Sequence, residues 1–181
     1  MALGQLCWQN ATRPAIIDSM PYRPFEDQNC SIAGALAVIG ERWTLLVLRE
    51  VLLGRRRFQE IKRNTGIATN ILTDRLNTLV EHGVLARRLY SEQPESYEYV
   101  PTQKAIDVRP VLIGLTQWGD KYINAERGAP RVLVHTACGH DADPHLVCSH
   151  CGDQLAYGDV KVRPGPGASD RQRAEPLLPV G

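Results

Sequence analysis

The chain has 181 residues, 43% of them hydrophobic and 6% aromatic, and a net charge of +1. That is room for one domain of ordinary size plus small additions, built on an aliphatic core. No run approaches the roughly 18 consecutive apolar residues of a membrane helix, and the N-terminus lacks both a basic start and a sustained apolar stretch, so neither membrane nor secretion is expected and the cytoplasm is the expected location.

Taken in chain order, residues 1–28 carry Pro14, Pro21 and Pro24 among mixed polar residues and show no helical or alternating period. They read as an N-terminal arm, partly disordered. Met20 opens the segment MPYRPFEDQNC and reads as an alternative start, which would make the preceding residues a dispensable extension. Ser31 then offers a cap for a short helix, SIAGALAVIG, closed by Gly40. ERWTLLVLREVLLG predicts a second helix stopped by Gly54, and FQEIKRNTG a third, with Phe58 and Ile61 on one side and Gly66 at its end.

The fourth helix is the most strongly patterned. In IATNILTDRLNTLVEHG the apolar residues Ile67, Ile71, Leu72, Leu76, Leu79 and Val80 recur at helical spacing. The opposite face carries Thr69, Asn70, Thr73, Asp74 and Asn77, and Gly83 ends it. The period then changes: VLARRLY and YEYVP are short alternating runs joined by the polar SEQPES, which predicts a hairpin. A last helical stretch, TQKAIDVRPVLIGLTQWGDKYI, contains Pro110, which should break or kink it.

Two helices joined by a tight glycine turn, followed by a hairpin, predict a mainly α fold with a small β-hairpin wing, a winged helix-turn-helix. Between Gly54 and Tyr90 stand eight basic residues (Arg55, Arg56, Arg57, Lys62, Arg63, Arg75, Arg87 and Arg88) against three acidic ones, a local +5 in a near-neutral chain. Such a concentration suits a polyanion, although a solvated charged surface gives the same count. Short Asn and Thr side chains on the outer face of the fourth helix can hydrogen-bond base edges, and the backbone N–H groups around Ala68 to Asn70 can hold a phosphate. Arg87 and Arg88 alternate on a strand, so only one faces a bound duplex. The other can meet a carboxylate such as Glu98.

The run from Asn29 to Tyr122 resembles the HxlR-type regulators, a winged-helix family. The matching residues are Cys30, IGERWTLLVLRE (39–50), GRRRF (54–58), NILTDRLNTLVEHGVLARRLY (70–90), Pro94 with Tyr97-Glu98-Tyr99, PT (101–102) and LTQWGD (115–120). Ser31 stands where that family usually has Pro, and no Gly follows Thr102. The resemblance implies a homodimer on promoter DNA, with the terminal helices forming the dimer interface and no catalytic residues. It places Asn70, Thr73, Asp74 and Asn77 toward the major groove. Thr69 and Arg75 fall near phosphates, with bracing of Glu81 or of the helix–wing junction the other role open to Arg75. Arg55, Arg56 and Arg57 fall near the backbone, and Arg87 and Arg88 in the wing. Trp43, Leu46, Leu72, Leu76 and Leu79 are expected in the core. Cys30, just ahead of a helix, is either a redox sensor or a small hydrophobic filler.

The chain has five cysteines, and three of them fall within residues 138–151. His135-Thr-Ala-Cys138-Gly and Cys148-Ser-His-Cys151-Gly are two versions of one pattern, each aiming two ligands at one ion. His135, Cys138, Cys148 and Cys151 therefore read as a structural zinc site in a small metal-knuckle module resembling a reduced zinc ribbon. His140, His145 or His150 could replace His135, and a Cys148–Cys151 redox pair or empty reduced thiols would explain the same residues.

The expected organisation is an arm (1–28), a winged helix-turn-helix domain (29–127), a zinc-ribbon-like module (131–160) and a disordered Pro/Gly-rich tail (161–181). The expected function is a sequence-specific, homodimeric transcriptional regulator binding double-stranded DNA. The alternative is an adaptor binding RNA or a protein. No glycine-rich phosphate loop, nucleophile motif or carboxylate pair points to an enzyme. Neither operator, inducer nor sign of regulation can be read.

Overall fold

Glycines and a proline cut the chain into its elements. The computed structural model describes residues 29–156 and 158–175. The arm expected over 1–28, with its Met20 start, lies outside them, as do residues 176–181. Helices α1 (Ser31–Ile39), α2 (Thr44–Leu52), α3 (Phe58–Thr65) and α4 (Thr69–Glu81) lead into strands β1 (Leu85–Glu92) and β2 (Glu95–Pro101). Helices α5 (Gln103–Asp107), α6 (Arg109–Tyr122) and α7 (Asp170–Ala174) follow. Among the described residues no single helix is long and apolar enough to cross a membrane.

The core sits where α2, α3, α4 and the base of the hairpin meet. Val47, Leu48, Val51, Ile61, Ile67, Leu72, Leu76, Leu79, Val84, Leu85, Tyr99 and Ala105 form one buried cluster. The three leucines of α4 are fully buried, as their spacing predicts. Trp43 is only half-buried and packs against the cluster from its edge, and Leu46 is half-buried too. Val47, Leu48 and Val51 occupy the inner face of α2 instead. These three share one face at helical spacing, and Leu46 lies to its side.

Several local features differ from expectation for plain reasons. Ser31 is the first residue of α1, and Cys30 is its N-cap, without a side-chain cap bond. Gly40 has ordinary right-handed backbone, but a Cβ there would lie 2.5 Å from the Leu36 carbonyl oxygen. The strands run through much of the expected polar link, leaving a tight turn at Gln93–Pro94 and an irregularity between Leu89 and Ser91. Pro110 lies in the first turn of α6, where its missing N–H costs nothing, so the break falls at Val108.

The hairpin is tied to the helices at both ends. The Thr102 hydroxyl donates to the carbonyls of Gly83 and Val84, each at 2.8 Å. Lys104 Nζ donates to the His82 carbonyl at 3.0 Å, closing the C-terminus of α4. On the other side the Arg55–Arg57 segment lies against β2: the Tyr99 N–H donates to the Arg56 carbonyl at 2.8 Å, and Arg57 bridges Glu98.

Beyond α6 the chain makes two short turns with isolated bridges, Val134 to Asp141 and Val147 to Gln154. The tail, expected to be disordered, carries α7 within its described part. Ser169 caps it by accepting the Gln172 N–H. Gln172 Nε2 donates to the Asn29 carbonyl at 2.8 Å, and Asn29 Nδ2 to the Gly167 carbonyl at 2.7 Å.

Two substitutions measure how the core is held. Leu76→Ala should lower the unfolding free energy by about 2–5 kcal/mol in urea melts, because the fully buried site cannot collapse completely. Glu50→Ala removes the buried carboxylate that receives Arg49 and Arg55 and should cost about 2 kcal/mol, consistent with lost charged hydrogen bonds from half-exposed arginines.

Candidate nucleic-acid interface

The turn between α3 and α4 is built by its own residues. The Thr65 hydroxyl donates to the Ile61 carbonyl at 2.7 Å and accepts the Ile67 N–H at 3.4 Å. Gly66 follows with φ +69°, the left-handed conformation that glycine adopts without penalty. Buried Ile61 and Ile67 flank this turn and pin it to the core.

With Leu72, Leu76 and Leu79 buried, α4 turns Thr69, Asn70, Thr73 and Asp74 outward, all exposed. The Thr73 hydroxyl donates to the Thr69 carbonyl at 2.9 Å, which leaves its oxygen to accept. Asn70 and Asp74 make no side-chain hydrogen bond among the described residues. Asn77 is half-buried between the helix and the wing, and its Oδ1 accepts from Arg87 Nη2 at 2.7 Å. Its amide donors remain available. Arg87 also lies over the Tyr99 ring, 5.9 Å from the centroid.

The neighbouring arginine faces a carboxylate: Arg88 Nε donates to Glu98 Oε1 at 2.7 Å. At the wing tip the Tyr97 hydroxyl donates to Glu95, and that bond, with the nearby carboxylate charge, raises the Tyr97 pKa.

Four arginines expected against phosphate have partners or positions within the fold. Arg55 Nη1 meets Glu50 Oε2 at 3.0 Å, and Arg49 Nη2 meets Glu50 Oε1 at 2.7 Å. Arg57 stacks over Tyr90, 4.4 Å from the ring centroid. Arg56 is half-buried, and its Nε finds no hydrogen-bond partner among the described residues. Arg75 turns back from α4 toward Glu41, at 3.6 Å, rather than toward Glu81. For Arg55, Arg57 and Arg75 the reason is common: each stands beside a carboxylate or ring brought in from another element, which a local charge count does not register.

Lys62 and Arg63 enter the local basic count without an individual role, and Gln59 does not enter it at all. All three line an open depression with Gly66 and Ile67, beside the turn that leads into α4. The two cations next to the glycine turn were the available signal, since they flank the helix N-terminus where a phosphate would sit.

Cys30 is exposed at the start of α1. His135 Nδ1 lies 3.1 Å from Cys138 Sγ. The backbone N–H groups of Cys151 and His150, with the Cys151 thiol, hold the Cys148 thiol below its usual pKa. The four residues expected to share an ion are thus brought together as two pairs. Among the described residues no group of three or more His, Cys, Asp or Glu side chains is gathered as for a metal ion.

A model described as HxlR-like helix-turn-helix matches residues 38–127. An uncharacterised HTH-type transcriptional regulator of Mycobacterium tuberculosis, Rv3095, is 45% identical over 137 residues, covering 76% of this chain and 87% of the relative. One from Synechocystis, sll1512, is 35% identical over 98 residues, covering 54% of this chain and 73% of the relative. Among solved structures, PA1607, a candidate transcription factor, superposes with a TM-score of 0.67 at 34% identity, over 75% of this chain and 95% of that one. PA1374 of Pseudomonas aeruginosa, also described as a candidate transcription factor, gives 0.57 at 39% identity, over 80% and 98%.

The division of the cations is measurable. Lys62→Ala should leave stability within about 0.5 kcal/mol of the parent but lower the salt slope of duplex-DNA binding by about 1. Arg75→Ala should do the reverse: a loss near 1 kcal/mol in urea melts with an unchanged salt slope.

Proposed function

The chain belongs to the HxlR-like helix-turn-helix family of transcriptional regulators, and from that premise we propose that it acts as a homodimer that reads promoter DNA in sequence-specific fashion. The observation that carries this reading is α4. Its buried leucine face fixes the helix, and its exposed Thr69, Asn70, Thr73 and Asp74 form an outer face short enough to enter a major groove. Asn70 is the residue best suited to a base edge, because an amide offers donor and acceptor together.

The wing supports the same reading. Arg87 is held by Asn77 at the end of the recognition surface, so a duplex against α4 lies next to a guanidinium already in position. Lys62 and Arg63 flank the other end, where the N-terminus of α4 would receive a phosphate. Arg55, Arg56, Arg57, Arg75 and Arg88 act through the fold, holding the wing and the helices in register.

Dimerisation is supported by α6. This helix of 14 residues has no buried residue. Val111, Leu115, Trp118 and Tyr122 recur along it at helical spacing and are each about half exposed, and Ile32 and Leu36 of α1 are exposed as well. Apolar stripes of this size are covered by a partner in stable proteins, and the family makes a second copy of this chain the natural one. Two copies present two recognition helices, which calls for an operator with two-fold symmetry.

The test is binding of purified protein to the DNA upstream of its own gene against a scrambled duplex across a salt series. A preference of at least ~10³ for the native sequence, weakening with salt, is expected. Equal weak binding to both would remove promoter reading. In sedimentation experiments the parent should be a dimer and Trp118→Glu a monomer with unchanged helical content, since that side chain packs on nothing within its own core.

A further inference from the structure

The segment after α6 folds without a core of its own. No described residue from Gly128 to Val162 is buried, and Val132, Val134, Leu146 and Val147 are all more than half exposed. Gln117 of α6 anchors the middle of the segment, with Nε2 donating to Asp143 Oδ1 at 2.8 Å and to the Pro144 carbonyl at 2.9 Å. A stretch this short and this exposed does not hold regular turns by apolar burial, and such segments ordinarily owe their order to a cross-link.

The turns are regular, and they repeat. The His135 N–H donates to the His140 carbonyl at 2.9 Å, and the Cys148 N–H to the Asp153 carbonyl at 2.8 Å. Gly139 N–H donates to the His135 carbonyl at 2.7 Å, and Gly152 N–H to the Cys148 carbonyl at 2.8 Å. Ala142 N–H donates to the Leu133 carbonyl, and Leu155 N–H to the Leu146 carbonyl. Val134 bridges Asp141 as Val147 bridges Gln154. Gly139 and Gly152 both take the left-handed conformation, at φ +73° and +80°. Every one of these pairs is related by the same shift along the chain, the one that carries His135 onto Cys148 and Cys138 onto Cys151.

This register separates the four histidines. His135 occupies the first ligand position of its turn, and its Nδ1 faces Cys138 Sγ at 3.1 Å. A nitrogen and a sulfur bound to one tetrahedral zinc lie about 3.5 Å apart, close to the separation of this pair. His140 falls on the position of Asp153 and turns its Nδ1 to the Cys138 carbonyl at 2.9 Å. His145 lies before the second turn, 3.4 Å from Asp143. His150 falls on the position of Ala137, between the two ligands.

We propose that His135, Cys138, Cys148 and Cys151 bind one zinc ion, each turn contributing two ligands, and that this ion is the cross-link that replaces the missing apolar core. Three thiolates and one imidazole are a donor set that favours zinc in closed tetrahedral coordination. Each thiol loses its proton on binding and no electrons are transferred. A closed four-ligand site leaves no position for a substrate, so the ion is structural.

The experiment uses the full chain, purified without chelator, with metal content read by mass spectrometry and Co²⁺ then exchanged into the protein. One zinc per chain is expected, with Co²⁺ giving the strong visible bands of a tetrahedral thiolate site. His135→Ala and Cys148→Ser should each weaken binding by more than about a hundred-fold, since metal affinity supplies the folding free energy of such modules. His140→Ala, His145→Ala and His150→Ala should leave it unchanged. The helical content of every variant should match the parent, because none of these side chains enters the helical core. Retention of affinity in His135→Ala, octahedral Co²⁺ spectra, or a metal-free chain with a Cys148–Cys151 disulfide would each overturn the proposal.

Discussion

One buried carboxylate links the helical core to the wing. Glu50 is 1% exposed and receives Arg49 and Arg55 from two directions. Burying a carboxylate is costly unless it is paired and hydrogen-bonded, so Glu50 obliges the chain after α2 to turn back over it. The Arg55 N–H donates to the Glu50 carbonyl at 3.0 Å, which makes that return tight. The next two residues then lie along β2, with Arg56 accepting from Tyr99 and Arg57 bridging Glu98. Remove the carboxylate and the segment that locates the wing loses its reason to follow this path.

The second link runs from α4 to the wing directly. Asn77 and Arg87 join the recognition helix to β1, while Thr102 and Lys104 close the other end over Gly83 and His82. The hairpin is thus fixed to α4 along β1 and at its base, and to the Arg55–Arg57 segment along β2. On the proposed function, in which α4 and the wing meet one duplex, that relative placement sets how both fit.

Much of this could be read from the residues. The period of Leu72, Leu76 and Leu79 located α4 and, by elimination, the outer face of Thr69, Asn70, Thr73, Asp74 and Asn77, of which Asn77 is half-buried against the wing. Pro110 located the break before α6, and the change of period after Gly83 located the hairpin. What stayed hidden were pairings between distant elements. Nothing near Arg75 announces Glu41, and nothing in GRRRF says that one arginine meets Glu50, another stacks on Tyr90 and a third lends its carbonyl to Tyr99. Charge counts see side chains as equivalent, whereas burial sorts them by the partner that the fold brings. Among the histidines after α6 the spacing already singled out His135, and the backbone hydrogen bonds repeat that spacing. Helix α7 was hidden by its Pro/Gly-rich surroundings, although Ser169 and Gln172 form a capping pair that the spacing does contain.

On the proposed function, the exposed face of α4 chooses the bases while the surrounding arginines hold the frame. Selection of bound duplexes from a random library, with the parent and with Asn70→Ala, tests it most directly. One enriched motif with two-fold symmetry is expected for the parent, and for Asn70→Ala a motif relaxed at one position in each half, equivalent to about 1–3 kcal/mol of lost discrimination. An unenriched library, or an identical motif from both proteins, would contradict it.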